Sequence, residues 1–136
     1  MQLVKIENPD NTQTVLYKLA RVVYAETSAQ SLQLVEAMSA MIYNIHIKYD
    51  KSFEDISNDK NIFPVLNESS KNHNNLNVMA DDRKFQMCLR TVKKMANGNL
   101  PDYVYGATRF HHTDVMPDWA TSRGYIAEYD DVLFYL

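Results

Sequence analysis

Three stretches of the chain repeat an apolar residue every three to four positions, the spacing that places side chains on one face of a helix. They cover residues 14–25, 28–48 and 81–96. The stretch 28–48 is the longest and has a single apolar face, so we expect it to be the central packing helix. The stretch 14–25 has a similar face and is predicted to lie against it.

Polar residues at the ends of these stretches predict where the helices begin and end. Thr27 and Gln30 have the spacing of a capping box, which predicts that the second helix begins at Thr27 or Ser28. Asp81 is the expected N-cap of the third helix, and Asn97-Gly98 is its expected stop.

The pattern changes to short β-prone runs in the last part of the chain. Strands are predicted at 108–111, 125–129 and 132–135, the last two joined by a tight hairpin at Asp130-Asp131. The polar segment 58–77 predicts a long loop, and loops of that length are usually functional or disordered. Helices followed by strands predict an α+β fold, with helices packed against a small antiparallel β-sheet at the C-terminal side.

Length and charge exclude several classes of protein. The chain has 136 residues, enough for one hydrophobic core and too few for two, so we expect a single domain over 1–136. The formal net charge is −3 and the basic residues are scattered, which argues against a nucleic-acid partner. No stretch approaches the roughly 20 apolar residues of a membrane span, so no integral membrane segment is expected. The oligomeric state is left open.

Cysteine and histidine usage limits the possible chemistry. Cys88 is the only cysteine, and its place on a helical apolar stripe predicts a buried thiol rather than a nucleophile. His111, His112 and Asp114, with His73 farther away, are candidate metal ligands. Neighbouring residues of a strand point to opposite faces, so the two adjacent histidines are poorly placed to share one ion. We expect no metal and no cofactor.

Glu26 is a carboxylate in an unusual place, because it follows an apolar run and precedes the next helix start. Near the C-terminal end of a helix, the helix dipole disfavours an added negative charge. Burial beside Val22 and Tyr24 would act in the same direction, and both effects favour the protonated form that a general acid needs. A solvated carboxylate at the helix end is the simpler alternative.

Several short motifs, in the order in which they occur, resemble those of the SleB/CwlJ-type cell-wall hydrolases, in their proteobacterial and phage branch. No single motif is specific, but together they extend over about a hundred residues. They are Tyr24-Ala25-Glu26, the apolar helix ending at Asn44, Phe85-Gln86-Met87-Cys88-Leu89-Arg90, Asn97-Gly98, Gly106-Ala107-Thr108-Arg109-Phe110-His111 and Trp119-Ala120.

The resemblance implies cleavage of peptidoglycan glycan strands by one glutamate at a helix end, as in lysozyme-like enzymes. Hydrolases generally need a second carboxylate. A lytic transglycosylase needs only one acid, because the C6 hydroxyl of the muramyl residue attacks its own C1 and leaves a 1,6-anhydromuramyl end. We expect the second chemistry, with Glu26 acting first as acid and then as base, and the hydrolase remains open.

Five other residues are candidates for substrate binding on the same resemblance. Trp119 offers a flat face to a sugar ring, although a core position is an equal alternative. Thr108 and His111 have hydrogen-bonding groups for hydroxyl or N-acetyl substituents, and sheet packing is the alternative for Thr108. Tyr24 and Asn44 belong to the matching motifs.

Three positions depart from the family pattern and support an alternative function. Gln30 stands where the family usually has a second glutamate, and Arg109 replaces a histidine. The segment 63–67 contains no tryptophan where the branch often has one. The alternative is therefore a catalytically silent protein of the same fold that binds glycan strands or assembles into a phage or secretion structure.

The N-terminal residues bear on localisation. Residues 1–10 lack the charged start, apolar region and cleavage site of a secretory signal. We expect synthesis in the cytoplasm and action at the cell wall or periplasm, with delivery by a holin or another route that needs no signal peptide.

Overall fold

The computed structural model describes residues 14–136 and confirms the α+β class, with helices first and a small antiparallel sheet at the C-terminal side. Residues 1–10, on which the interpretation of the N-terminus rests, lie outside the described residues. The described elements are α1 (Val15–Thr27), α2 (Leu32–Tyr49), α3 (Phe53–Ser57), α4 (Arg83–Ala96), β1 (Arg109–His112), β2 (Ala127–Tyr129), β3 (Val132–Tyr135) and 3₁₀ turns at Pro64–Leu66, His73–Asn77 and Asp118–Ala120.

The helix α1 lies at the centre of the helical layer. It contacts α2, α3, α4 and the 3₁₀ turns at Pro64–Leu66 and His73–Asn77. Leu19 and Val23 are fully buried on one side of the helix, and Ala25 is fully buried on the opposite side. The longer α2 is also buried on most sides, with every residue from Ala37 to Ile42 buried, so it shares the central position with α1 and has more than the single apolar face that was expected.

The connection between α1 and α2 differs from the predicted capping box. Thr27 is the last residue of α1, and its hydroxyl donates to the carbonyl of Val23 at 2.6 Å. Ser28 and Ala29 then adopt positive φ angles of 54° and 48°, which reverse the chain. The N-cap of α2 is Ser31, whose hydroxyl accepts from the Leu34 amide at 3.0 Å. The second helix therefore starts at Leu32, and Glu26 stays in the last turn of α1.

The helix α4 begins one residue later than predicted and ends as predicted. Its N-cap is Asp82 rather than Asp81, because the carboxylate of Asp82 accepts from the Phe85 amide at 2.9 Å. Gly98 follows the C-cap Asn97 with φ of +75°, a conformation that favours glycine.

The predicted loop at 58–77 belongs to a longer irregular segment between α3 and α4. Two 3₁₀ turns give it local order, and the buried side chains of Phe63 and Val65 attach it to the core. The five-residue helix α3, capped by Ser52, was not predicted, since one helical turn is too short to show a period.

The sheet has the strand order β1-β3-β2, and both pairs are antiparallel. The hairpin at Asp130-Asp131 is confirmed, with Asp130 at a φ of 52°. The predicted strand at 108–111 is observed at Arg109–His112, one residue later. Phe110 and Phe134 are paired across β1 and β3 and join the hydrophobic core.

One further observation concerns membranes. Within residues 14–136, no helix combines the length and the apolar character that crossing a bilayer requires.

Candidate functional site

A cleft of about 1050 Å³ lies between the irregular segment after α3 and the edge of the sheet at β1. Glu26, from the end of α1, is one of its lining residues. Apolar and aromatic side chains line the walls together with amide and charged groups, a mixture that small-molecule sites commonly have. The lining includes Lys51, Asp59, Asn61, Ile62, Pro64, Val65, Thr108, Arg109, Phe110, His111, His112 and Trp119.

Glu26 is buried, with 5% of its surface exposed, so the solvated alternative is wrong. Its two carboxylate oxygens have different partners. Oε2 accepts from the backbone amide of Val65 at 3.2 Å, and Oε1 lies 2.9 Å from Nε2 of His112. The predicted location at the end of the first helix is confirmed. One main-chain amide and one imidazole therefore hold the two oxygens of Glu26 in place.

His112 is the main residue that sequence reasoning missed as a partner of Glu26. The hydrogen bond to Glu26 raises the pKa of His112 above its ordinary value of 6.5, against the opposing effect of burial. The negative charges of Glu26, Asp131 and Asp114 act in the same direction as the hydrogen bond. His112 shares a face of β1 with Phe110, two residues before it, and the two rings are in edge contact at 6.0 Å. The two-residue alternation of a strand places His112 on the same face as the apolar Phe110. This alternation is the sequence signal that could have identified His112.

His111 lines the cleft as predicted, but both of its ring nitrogens have protein partners. Nδ1 lies 2.8 Å from the carbonyl oxygen of His112, so Nδ1 carries a proton, because a carbonyl only accepts. Nε2 lies 2.8 Å from the hydroxyl of Tyr135, and the two rings stack at 5.3 Å. His111 therefore supports the wall of the cleft more than it offers a free hydrogen-bonding group.

Trp119 lies at the edge of the cleft and is half-buried, so it is neither a core residue nor a fully exposed platform. Its ring is in edge contact with His111 at 5.9 Å and with Tyr135 at 5.1 Å. The guanidinium carbon of Arg109 lies 5.4 Å from the ring centroid, in a cation–π contact. Arg109, which departs from the family pattern, is thus part of the same end of the cleft.

Thr108 lines the cleft and is 7% exposed. Its backbone amide donates to the carbonyl of Tyr135 at 2.9 Å, which continues the sheet by one residue. Its side chain forms a hydrogen bond with Tyr49 that lowers the pKa of that phenol below its ordinary value of 10.0. Thr108 therefore has the structural role of the sheet-packing alternative while also facing the cleft.

Tyr24 and Asn44 are predicted substrate-binding residues that do not line the cleft. Tyr24 lies two residues before Glu26, about 200° around the helix, so it faces α4. Burial raises its pKa, and the nearby Asp82 and Cys88 add to the effect. Asn44 donates to the carboxylate of Asp102 at 3.2 Å and to the carbonyl of Ala107 at 3.1 Å. The side chain of Asn44 attaches α2 to the segment before β1, and the substrate-binding roles of Tyr24 and Asn44 stay predictions.

Most charged groups in the cleft are paired with another protein side chain. Lys51 forms an ion pair with Asp59, and this contact is the main cause that lowers the pKa of Asp59. Lys71 lies 3.5 Å from Asp114, with both side chains largely exposed. Asp131 accepts from the amide of Gln30 at 3.1 Å.

No group of three metal-binding side chains is present among residues 14–136. His111 and His112 have separate partners, as expected for neighbours on a strand. The thiol of Cys88 is fully buried, and burial raises its pKa to about 12, so the predicted buried thiol is confirmed.

Comparison with models of known protein families, with curated proteins and with solved structures gives no match to this chain.

Proposed function

We propose that this protein cleaves the glycan strands of peptidoglycan, with Glu26 as the residue that transfers the proton. The observation that supports this most directly is the position of Glu26, a buried carboxylate in the wall of a cleft of about 1050 Å³. The backbone amide of Val65 fixes one carboxylate oxygen, while the other is paired with an ionisable side chain. The sequence resemblance supplies the substrate class.

In the proposed reaction, Glu26 acts at two stages. A proton passes from Oε1 of Glu26 to the glycosidic oxygen as the C1–oxygen bond breaks. The carboxylate then accepts the proton of the C6 hydroxyl as that oxygen bonds to C1. The products are a shortened strand and a 1,6-anhydromuramyl end, and no water is consumed.

The other carboxylates of the cleft favour this one-acid chemistry over hydrolysis. A retaining or inverting glycosidase needs a second carboxylate that is available to the sugar or to a water molecule. Among the lining residues, Asp59 is paired with Lys51, Asp114 with Lys71, and Asp131 with Gln30. Lys71 and Asp114 are both largely exposed, so the ion pair between them is weak. Asp114 is therefore the residue that would serve a hydrolase as its second carboxylate.

The decisive experiment is mass spectrometry of the products released from purified sacculi. We expect anhydro ends from the wild-type protein and at least about a 10²-fold slower release from Glu26→Gln, because an amide cannot deliver a proton. Reducing ends would replace the transglycosylase with a hydrolase. Cleavage by Glu26→Gln within a few-fold of wild type would show that Glu26 is not the acid.

A catalytically silent glycan-binding or assembly protein is the second candidate, and Gln30 is the observation that favours it. Its amide donates to Asp131 in the β2–β3 turn, a structural contact that a glutamate at this position would not make. The same sacculus assay separates the two candidates. Retention of the protein on sacculi with no released product would support the silent candidate.

A further inference from the structure

The contact between His112 and Glu26 connects the cleft carboxylate to the only histidine that it touches among the described residues. Nε2 of His112 and Oε1 of Glu26 are 2.9 Å apart, the distance of a strong charge-assisted hydrogen bond. The side chain of Glu26 is 5% exposed and that of His112 is 26% exposed. The buried acid therefore has a partially exposed partner on the cleft side.

The resting position of the proton is limited by the donors around Glu26. The Val65 amide donates to Oε2, so the proton of the pair lies between Oε1 of Glu26 and Nε2 of His112. The contact with Glu26 raises the pKa of His112, which favours the proton on Nε2. In that arrangement Glu26 takes a proton from His112 before it protonates a leaving oxygen.

We propose that His112 is the proton reservoir of Glu26, so that the pair holds one proton that both stages of the reaction use. His112 is a positioning residue, acting through Glu26. This inference rests on the proposed glycan cleavage.

Over the two stages of the reaction, the pair of Glu26 and His112 neither gains nor loses a proton. The proton moves from Nε2 of His112 to Oε1 of Glu26 and on to the glycosidic oxygen as the bond from C1 breaks. The C6 hydroxyl then gives its proton to Glu26 as the new bond to C1 forms, and His112 takes that proton back. The pair returns to its starting state without any other reactant.

The charged groups around His112 come from three parts of the fold. Glu26 is in α1, Asp114 follows β1, and Asp131 lies in the β2–β3 turn. All three carboxylates favour the protonated imidazole of His112. Lys71 contacts Asp114, and the amide of Gln30 donates to Asp131. Because of these charges, the imidazole of His112 stays protonated to a higher pH than the imidazole of an ordinary histidine.

The first test is the pH profile of glycan cleavage by His112→Gln. Gln can donate a hydrogen bond to Glu26 but cannot carry the proton, so Glu26 alone must hold it. We expect the apparent pKa of the alkaline limb of the pH–rate profile to fall by at least about one pH unit. At pH values above both limbs, activity should then be lower by at least about tenfold. Activity near pH 5 should stay within about threefold of wild type. His46→Gln, which removes a histidine but leaves the Glu26–His112 pair intact, is the matched control.

An unchanged pH profile in His112→Gln, or an equal loss of activity at every pH in a folded variant, would overturn the proposal that His112 is the proton reservoir.

The second test does not depend on activity or on His112→Gln folding. Histidine ¹⁵N shifts are titrated in the wild-type protein and in Glu26→Gln, with His46 as internal reference. We expect His112 to titrate at lower pH in Glu26→Gln, and the same midpoint in both proteins would overturn the inference. A wild-type protein that releases no product would defeat the proposed function, while this titration still decides whether the pair shares a proton.

Discussion

Glu26 receives its partners from residues that are far from it along the chain. Val65 is 39 positions away and His112 is 86 positions away, yet each contacts one carboxylate oxygen. Local sequence gave the helix end correctly and left open whether the carboxylate is buried or solvated. The hydrogen-bond partners of this carboxylate come from distant segments, which no local pattern contains.

Trp119 gives a prediction at the same scale. Trp119→Ala should weaken retention on insoluble peptidoglycan at least about fivefold, because an aromatic contact is worth about 1 kcal/mol. Since the ring is half-buried, the free energy of unfolding should fall by about 1–2 kcal/mol, less than the 3–5 kcal/mol of a core Trp. Pelleting of the protein with sacculi measures its retention, and urea unfolding measures its free energy of unfolding. Trp119→Phe, which keeps a flat ring, is the control, and a loss of stability without a loss of retention would assign Trp119 to the core.

The α1–α2 turn is connected to the β2–β3 turn. Gln30 donates to Asp131, and the hydroxyl of Ser31 donates to Asp130 at 2.7 Å. Because Glu26 is in the last turn of α1 and Asp131 lines the cleft, these contacts hold two sides of the site together. Gln30 and Ser31 thus have a clear structural role in joining the helices to the sheet.

Ser31→Ala tests this connection. The substitution removes both the N-cap of α2 and the contact to Asp130, so the free energy of unfolding should fall by about 1–2 kcal/mol. Urea unfolding measures the change. The exposed Ser122 is the matched control, and Ser122→Ala should stay within about 0.5 kcal/mol of wild type. Equal stabilities of the two variants would show that the Ser31 cap contributes little.

At the scale of the whole molecule, the Glu26–His112 pair couples folding to pH. The pKa of His112 is higher in the folded protein than its ordinary value of 6.5, mainly because of Glu26. The folded state therefore binds a proton more tightly than the unfolded chain does. The stabilisation is fully present below pH 6.5 and is lost as pH rises through the folded-state pKa.

The expected result is a fall in the free energy of unfolding above pH 6.5 that Glu26→Gln reduces. Urea unfolding of the two proteins at several pH values between 6 and 9 measures the difference. The loss of the ion pair removes the main cause of the raised pKa of His112 and, with it, the coupling. Parallel pH dependence in both proteins would contradict this assignment and would place the coupling at other groups.

Local periodicity and capping chemistry determined most of the elements of this protein. The three long helices and three strands were predicted within a few residues, because a 3.6-residue or two-residue period is a property of the local sequence. The helix stop at Asn97-Gly98 and the hairpin turn at Asp130-Asp131 were predicted because capping and turn residues also act locally. The capping box at Thr27 was wrong, since its hydroxyl bonds backward to Val23 and Ser31 caps the next helix instead.

The sequence by itself determined that Glu26 is a carboxylate at the end of a helix and that Cys88 is buried. Only the tertiary structure decided which residues surround Glu26. His112 shares with Phe110 the face of β1 that meets α1, because alternate residues of a strand point to the same side. Tyr24 faces α4 and Asn44 joins a loop, although both lie in the motifs on which the sequence resemblance rests. A motif specifies order along the chain, whereas the direction of each side chain follows from how the helices and the sheet pack.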